Sequence, residues 1–306
     1  MHPILVRIAG LDIAWYGLLI SCGTLVGVFL AIRRAKTVGV PTDLILDLTF
    51  YGVIIGFIGS RVFFILGDLR GFVAYPKEYI FTRQGYVFFG GLVFAVAFAV
   101  WYLKRKRCDL WQIGDIMAPS VAVGHMFGRI GCFFSGCCYG RLCPTGWERL
   151  GVSFPQVPAP FGFWYFDHPE WAAPDGASSL PILPVQLYEA GANFLIFLGL
   201  MWLWRHRRFR GQVFVAYLGA YGIVRFLLEF LRGDYADMVM FGWLQRGQLS
   251  QLSCLVAIVA ALVLWLRLRR APLESPVAAS QGTAEVARAN HPKPPSAPKN
   301  KHHRRR

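Results

Sequence analysis

Seven stretches of this 306-residue chain are apolar for about the length of a bilayer crossing, and that repetition restricts the fold more than any other feature. A spanning helix needs ~20 mostly apolar residues. The stretches run near 14–32, 44–66, 86–103, 113–134, 184–204, 212–231 and 248–266. With 55% of residues apolar and only 16% charged, the composition predicts an all-α, polytopic membrane helix bundle. The first stretch follows polar and charged residues, precedes further spans and lacks an Ala-x-Ala-like cleavage site. It reads as a retained helix and not as a removable signal peptide.

The net charge of +15 raises the possibility of nucleic-acid binding, yet the basic residues sit where topology needs them. Arg33, Arg34 and Lys36 follow span one, and Lys104, Arg105, Lys106 and Arg107 follow span three. Arg205, Arg207, Arg208 and Arg210 follow span five, and Arg267, Arg269 and Arg270 follow span seven. Every second loop is therefore basic, which assigns those loops and the C-terminus to the cytoplasm and the N-terminus to the outside. No aromatic-basic motif accompanies the clusters, so no nucleic-acid partner is expected. Residues 1–270 are expected to form the transmembrane domain. Residues 271–306, rich in Ala, Pro, Lys and Arg, have little to bury and are expected to form a disordered cytoplasmic tail. The loop 135–183 lies outside, and its Trp and Tyr residues suit it to the outer headgroups.

Arg61, Arg129 and Arg225 lie inside apolar stretches. A charge at membrane depth is costly and normally faces a protein interior or a watery cavity, so each marks a candidate site. Chain direction and a rise of ~1.5 Å per residue put all three in the outer half. Tyr16 on span one, Tyr188 and Glu189 on span five, and Tyr221 and Glu229 on span six reach the same level. Polar groups from spans one, two, four, five and six are thus expected to converge near the outer headgroups.

Arg225 and Glu229 are four residues apart on one helical face and can neutralise each other, and Glu189 can neutralise one more arginine. The remaining positive charge, carried by a guanidinium that can fork onto phosphate oxygens, points to a phospholipid phosphate. Gly90, Gly91, Gly128, Gly131, Gly136 and Gly140 are expected to open the backbone for a headgroup, since small residues thin a membrane helix.

These residues carry a resemblance. Trp15-Tyr16-Gly17-Leu18, Gly59-Ser60-Arg61, Gly90-Gly91-Leu92, Asp115, Ala118-Pro119, Gly128-Arg129-Ile130-Gly131 through Gly140-Arg141, and Pro184, Gln186-Leu187 and Tyr188-Glu189 resemble the prolipoprotein diacylglyceryl transferases. So do Tyr221-Gly222, Arg225-Phe226, Glu229-Phe230 and Arg232, with Gly247-Gln248-Leu249-Ser250 as a looser match. The resemblance covers roughly residues 10–270. It implies an enzyme of the bacterial inner membrane that moves the diacylglyceryl group of phosphatidylglycerol onto the lipobox cysteine thiol in the signal peptide of a preprolipoprotein. A thioether forms, glycerol phosphate leaves, and no metal or soluble cofactor is called for. It further implies that Arg129 binds the phosphate, that Arg225 with Glu229 stabilises the departing glycerol phosphate, and that Tyr16 and Tyr221 position headgroup or thiol. Arg61, Gly128, Gly140, Tyr188 and Glu189 complete the expected substrate-binding set.

The chain departs from the family pattern at two places. The usual histidine before the Gly-Gly doublet is Phe89, which cannot take a proton, and the segment after Arg129 replaces two asparagines and a glutamate. His125, one turn before Arg129, is the single histidine within a span. It reads either as the base for the thiol or as a hydrogen-bonded packing residue. Cys132, Cys137, Cys138 and Cys143 form a sequence cluster that reads as small packing residues, as a disulfide or as a zinc site, although its C-x4-C-C-x4-C spacing matches no common zinc motif. Two other functions compete with the transferase. An anion transporter would need polar residues through the full depth and repeated halves, and an altered or inactive relative would need the departures to be disabling.

The basic-loop pattern generates a direct expectation. A reporter active only in the periplasm, fused after Arg270, should give no signal, and strong activity there would reverse the topology and the depth assignment.

Overall fold

The computed structural model describes residues 3–8, 11–81, 87–156, 168–234, 239–240 and 244–270. The expectations for the 271–306 tail and for residues 157–167 of the 135–183 loop fall outside these residues. Seven helices are long and apolar enough to cross a membrane. They span Trp15–Thr37, Thr42–Gly67, Phe88–Arg105, Leu110–Ser135, Val185–His206, Gln212–Glu229 and Arg246–Leu268, and are called spans one to seven below. Their ends agree with the expected stretches to within a few residues.

Smaller elements add to the helices without changing the class. An antiparallel hairpin pairs Ile4–Ile8 with Leu11–Ala14 ahead of span one. Two one-turn helices, Leu69–Ala74 and Pro76–Phe81, follow span two, and a two-residue ladder pairs Val239–Met240 with Leu244–Gln245 before span seven. The loop after span four is more built than expected. Isolated bridges join Leu142 and Val152 to Ile182, Pro155 to Ser178 and Ala172 to Ser179. Tyr139, Phe154 and Ile182 bury a small core of their own beneath them.

Span four is the axis of the bundle, packing against spans one, five and six, while spans two and three pair with each other and spans six and seven do the same. Small residues set those distances. A Cβ at Gly27 would stand 3.2 Å from the Ser120 carbonyl oxygen, and one at Gly23 would stand 2.7 Å from Phe127 Cβ. Around this axis Ala31, Ala35, Ile45, Leu103 and Ile116 bury one apolar cluster, and Ala122, Leu200, Val213 and Tyr217 another. Leu25, Phe50, Phe57, Trp202 and Leu262 are exposed on the outside, as lipid-facing side chains should be.

Two polar ties lock the end of the bundle that carries the basic clusters. Arg34 is buried, although its sequence position suggests only a topological charge. Its guanidinium donates to the Ile116 carbonyl at 3.0 Å and to Ser120 Oγ at 2.5 Å, and touches Met201 Sδ at 3.2 Å. Spans one, four and five are thereby joined near Pro119, where the helix has no N–H to give. Asp115 accepts from the Gly211 and Phe214 amides at 2.8 and 2.9 Å. A carboxylate on those amides stabilises the positive end of span six, whose first turn has no intrahelical partners for them.

The Gly90-Gly91 doublet has a different role from the one expected. A Cβ at Gly90 would stand 2.6 Å from the Gly59 carbonyl oxygen and one at Gly91 would stand 3.0 Å from that of Gly56. The doublet is where spans two and three cross, and no headgroup has room there. Gly90→Val should therefore force that crossing apart, at an overpacking cost of about 1–3 kcal/mol. Gly52→Val, on the same helix pair but with nothing within 4 Å of its added Cβ, serves as the control. Thermal unfolding in detergent should show a lower midpoint for Gly90→Val only, and equal midpoints would contradict the crossing.

Candidate active site

Span four ends at Ser135 because Gly136 turns into the left-handed region at φ 69°, a conformation that costs glycine little. Arg129 lies six residues earlier, ~9 Å below the helix end. Its Nε stands 3.0 Å from Glu189 Oε1 on span five. Glu189 is buried and also accepts from the Tyr221 hydroxyl of span six at 3.1 Å. That hydroxyl lies against the Arg129 guanidinium as well. Three spans thus meet at one carboxylate, which uses the Nε edge of Arg129.

One turn further along span six, Arg225 pairs with Glu229, and Ser250 of span seven donates to Glu229 Oε2 at 3.2 Å. Both members are almost fully buried. Tyr16 approaches from span one, where a Cβ on Gly131 would come within 3.0 Å of its ring. Trp15 beside it stacks on Phe134 with centroids 5.1 Å apart. Gly128, unlike the doublet, has nothing within 4 Å of an added Cβ and leaves an opening beside Arg129. Gly140 is held close, its amide donating to the Leu183 carbonyl at 3.0 Å, and a Cβ there would stand 2.5 Å from that oxygen. It shapes the backbone above the site and does not open it.

Two expected members stand apart from this cluster. Arg61 donates to the Ile80 carbonyl at 3.0 Å and lies over the Phe64 ring at 5.6 Å. These contacts tie it to the one-turn helix after span two. Tyr188 turns toward the loop after span four, its hydroxyl 3.4 Å from the Leu150 carbonyl. Ser250 brings span seven to the cluster, which was not expected.

The source of positive charge changes accordingly. Arg129 and Arg225 each have a glutamate, and Arg232 binds Asp234 through two nitrogens at 2.8 and 2.5 Å. Arg141, exposed at the rim, donates to the Arg232 carbonyl at 3.1 Å. Four guanidiniums therefore face three carboxylates, and the surplus comes from Arg141 instead of Arg61. Outside the spans, burial raises the Asp234 carboxyl above its ordinary range while the Arg232 guanidinium pulls against it.

His125 sits one turn deeper than Arg129. Its Nδ1 is 2.8 Å from the Tyr217 hydroxyl and its ring lies 4.9 Å from that of Tyr221. Phe89 is exposed with its ring edge-on to Phe88. Among the cysteines, Cys132, Cys137 and Cys138 come together with sulfurs within 4.8 Å of one another. Cys143 separates from them, lying beside Gly151 and Pro181. The turn at Gly136 folds Cys137 and Cys138 back over the end of the helix.

Two site residues, Gln186 and Asn193, had a sequence signal that was not assigned a role. Gln186, Glu189 and Asn193 recur at helical spacing on span five, and all three are buried. Gln186 Nε2 donates to the Cys137 carbonyl at 2.8 Å, and Asn193 Nδ2 to the Glu189 carbonyl at 2.9 Å. Both amide oxygens and Glu229 Oε1 are buried with no partner among the described residues. Such acceptors are costly unless something donates to them. A hydroxyl or another donor brought to them would relieve that cost.

The sequence profile of the family described as "Prolipoprotein diacylglyceryl transferase" matches residues 3–267. Three curated relatives carry the name phosphatidylglycerol–prolipoprotein diacylglyceryl transferase. The protein of Clostridium tetani is 33% identical over 253 residues, covering 83% of this chain and 90% of its own length. That of Xylella fastidiosa is 32% identical over 299 residues, covering 92% and 97%. That of a Nostoc strain is 30% identical over 290 residues, covering 92% and 95%. By the reach of the profile match, and with a cluster of arginine, glutamate and tyrosine drawn from several spans, the chain belongs to the prolipoprotein diacylglyceryl transferase family.

Proposed function

We propose that this protein transfers the diacylglyceryl group of phosphatidylglycerol to the lipobox cysteine of a preprolipoprotein, in the outer leaflet of a bacterial inner membrane. The sulfur attacks the glyceryl carbon, the carbon–oxygen bond to phosphate breaks, and glycerol phosphate leaves with the electron pair. The observation that carries this reading is the way Glu189 engages the Nε edge of Arg129. A guanidinium held by that edge presents its terminal nitrogens as a fork that fits two phosphate oxygens.

Arg129 binds the lipid phosphate in this account, and Gly128 leaves room for it. Arg225, oriented by Glu229 and through it by Ser250, meets the charge that grows on the departing phosphate. Donors placed in advance for a developing charge are worth ~10²–10³ in rate. Tyr221, shared between Glu189 and Arg129, holds the headgroup, and Tyr16 closes the span-one side. His125 acts through Tyr217 and Tyr221 as a positioning residue. Gly140 and Glu189 belong to the binding set, whereas Arg61 and Tyr188 act at its margin.

Lysine at position 129 separates charge from geometry. An ammonium can keep Glu189 company, but it is a point charge without the planar fork. Arg129→Lys should lower turnover by ~10²-fold or more, with lipid-modified peptide measured in membranes containing phosphatidylglycerol, while the thermal midpoint changes little. Arg129→Ala should lose both, because Glu189 is left as a buried unpaired charge at a cost of about 3–5 kcal/mol. Full turnover by the lysine variant would reduce the role of Arg129 to general charge.

A further inference from the structure

Three thiols meet at the mouth of this site. The sulfurs of Cys132, Cys137 and Cys138 lie within 4.8 Å of one another, and all three cysteines are free. Cys132 is buried, whereas Cys137 and Cys138 are half-buried. Consecutive side chains of an extended chain point to opposite faces. Here the backbone breaks that alternation, with Gly136 at φ 69° and Cys138 at φ 58°. A residue with a Cβ adopts the left-handed region reluctantly, so the turn that gathers these sulfurs is held against its own preference. Gln186 on span five pins it by donating to the Cys137 carbonyl at 2.8 Å.

The arrangement suits a thiophilic cation. Tetrahedral zinc with Zn–S bonds of ~2.3 Å places neighbouring sulfurs ~3.7 Å apart, and the three sulfurs here all lie within 4.8 Å of one another. Three thiolates carry more negative charge than one zinc ion neutralises. Arg129 and Arg232 lie close enough to these sulfurs for their charges to interact. Three protein ligands leave the fourth position open, as in zinc sites that carry out chemistry.

We propose that Cys132, Cys137 and Cys138 bind a zinc ion whose fourth position takes the substrate cysteine as a thiolate. This deepens the transferase reading and rests on it. A thiol that coordinates the metal gives up its proton, here to water. Its sulfur then uses a lone pair to form the bond to the glyceryl carbon as the carbon–oxygen bond breaks, and the electron pair of that bond departs on glycerol phosphate. The neutral thioether is a poorer ligand than a thiolate, so water or the next thiol displaces it. No side-chain base is needed, which accounts for Phe89 where the family places a histidine. His125, two helical turns (~10 Å) below Cys132, is too deep to take that proton directly and is left to hold Tyr217.

The test uses the full chain in detergent, without phosphatidylglycerol, so no turnover is required. Native protein should contain about one zinc per chain, and Cys137→Ser/Cys138→Ser should contain at least tenfold less. Should the double variant fail to fold, chelator-stripped wild-type protein serves in its place, and it should regain its zinc on addition of the metal. Cobalt(II) loaded into stripped protein should give thiolate-to-metal charge-transfer absorption. A lipobox peptide with one cysteine should shift that absorption, and its serine counterpart should not. Zinc content unchanged in a folded double variant would overturn the proposal. So would failure of the stripped protein to rebind metal, a disulfide among the three cysteines in native protein, or a cobalt spectrum indifferent to the cysteine peptide. Because these readouts need no transfer, they fail independently of the Arg129 assay.

Discussion

Glu189 is the point on which the site depends. A carboxylate this buried persists only with partners, because desolvation otherwise outweighs any favourable contact. It has them from two helices: the Arg129 guanidinium on span four and the Tyr221 hydroxyl on span six. Spans four, five and six are therefore held in register by the same atoms that are proposed to form the anion site. Binding geometry and bundle architecture are here a single constraint. That explains why charged groups, rare at membrane depth, are concentrated in this place.

The two ends of the bundle use polarity differently. At the basic end, Arg34 and Asp115 spend themselves on carbonyls, a hydroxyl and amides of neighbouring helices, and they close that end. At the other end the pairs are incomplete. Oxygens of Gln186, Asn193 and Glu229 have no donor among the described residues, and Gly128 leaves space next to Arg129.

Hydropathy made the spans legible because a bilayer crossing demands a length and composition that little else produces. The convergence at Arg129, Glu189, Tyr221, Arg225 and Glu229 was legible for a related reason, since helical rise converts residue number into depth. Depth carries no azimuth, however. Arg61 shares the level of Arg129 yet turns toward Ile80 and Phe64, and Ser250 reaches the site from a span whose depth signal was weaker. Gly90-Gly91 was misread because glycine serves close helix crossings and open pockets equally in sequence. The meeting of Cys132, Cys137 and Cys138 depends on left-handed turns at Gly136 and Cys138, which a thiol spacing pattern does not encode. The N-terminal hairpin escaped notice because it is short and adjoins a much stronger helical signal.

The account makes the outer cluster a phospholipid phosphate site coupled to thiol alkylation. Its most direct test is product balance in liposomes containing phosphatidylglycerol and a lipobox peptide. The mass of the peptide should rise by one diacylglyceryl group at its cysteine, with one glycerol phosphate released for each peptide modified. Absence of modification by the folded chain, or modification without matching glycerol phosphate, would contradict it.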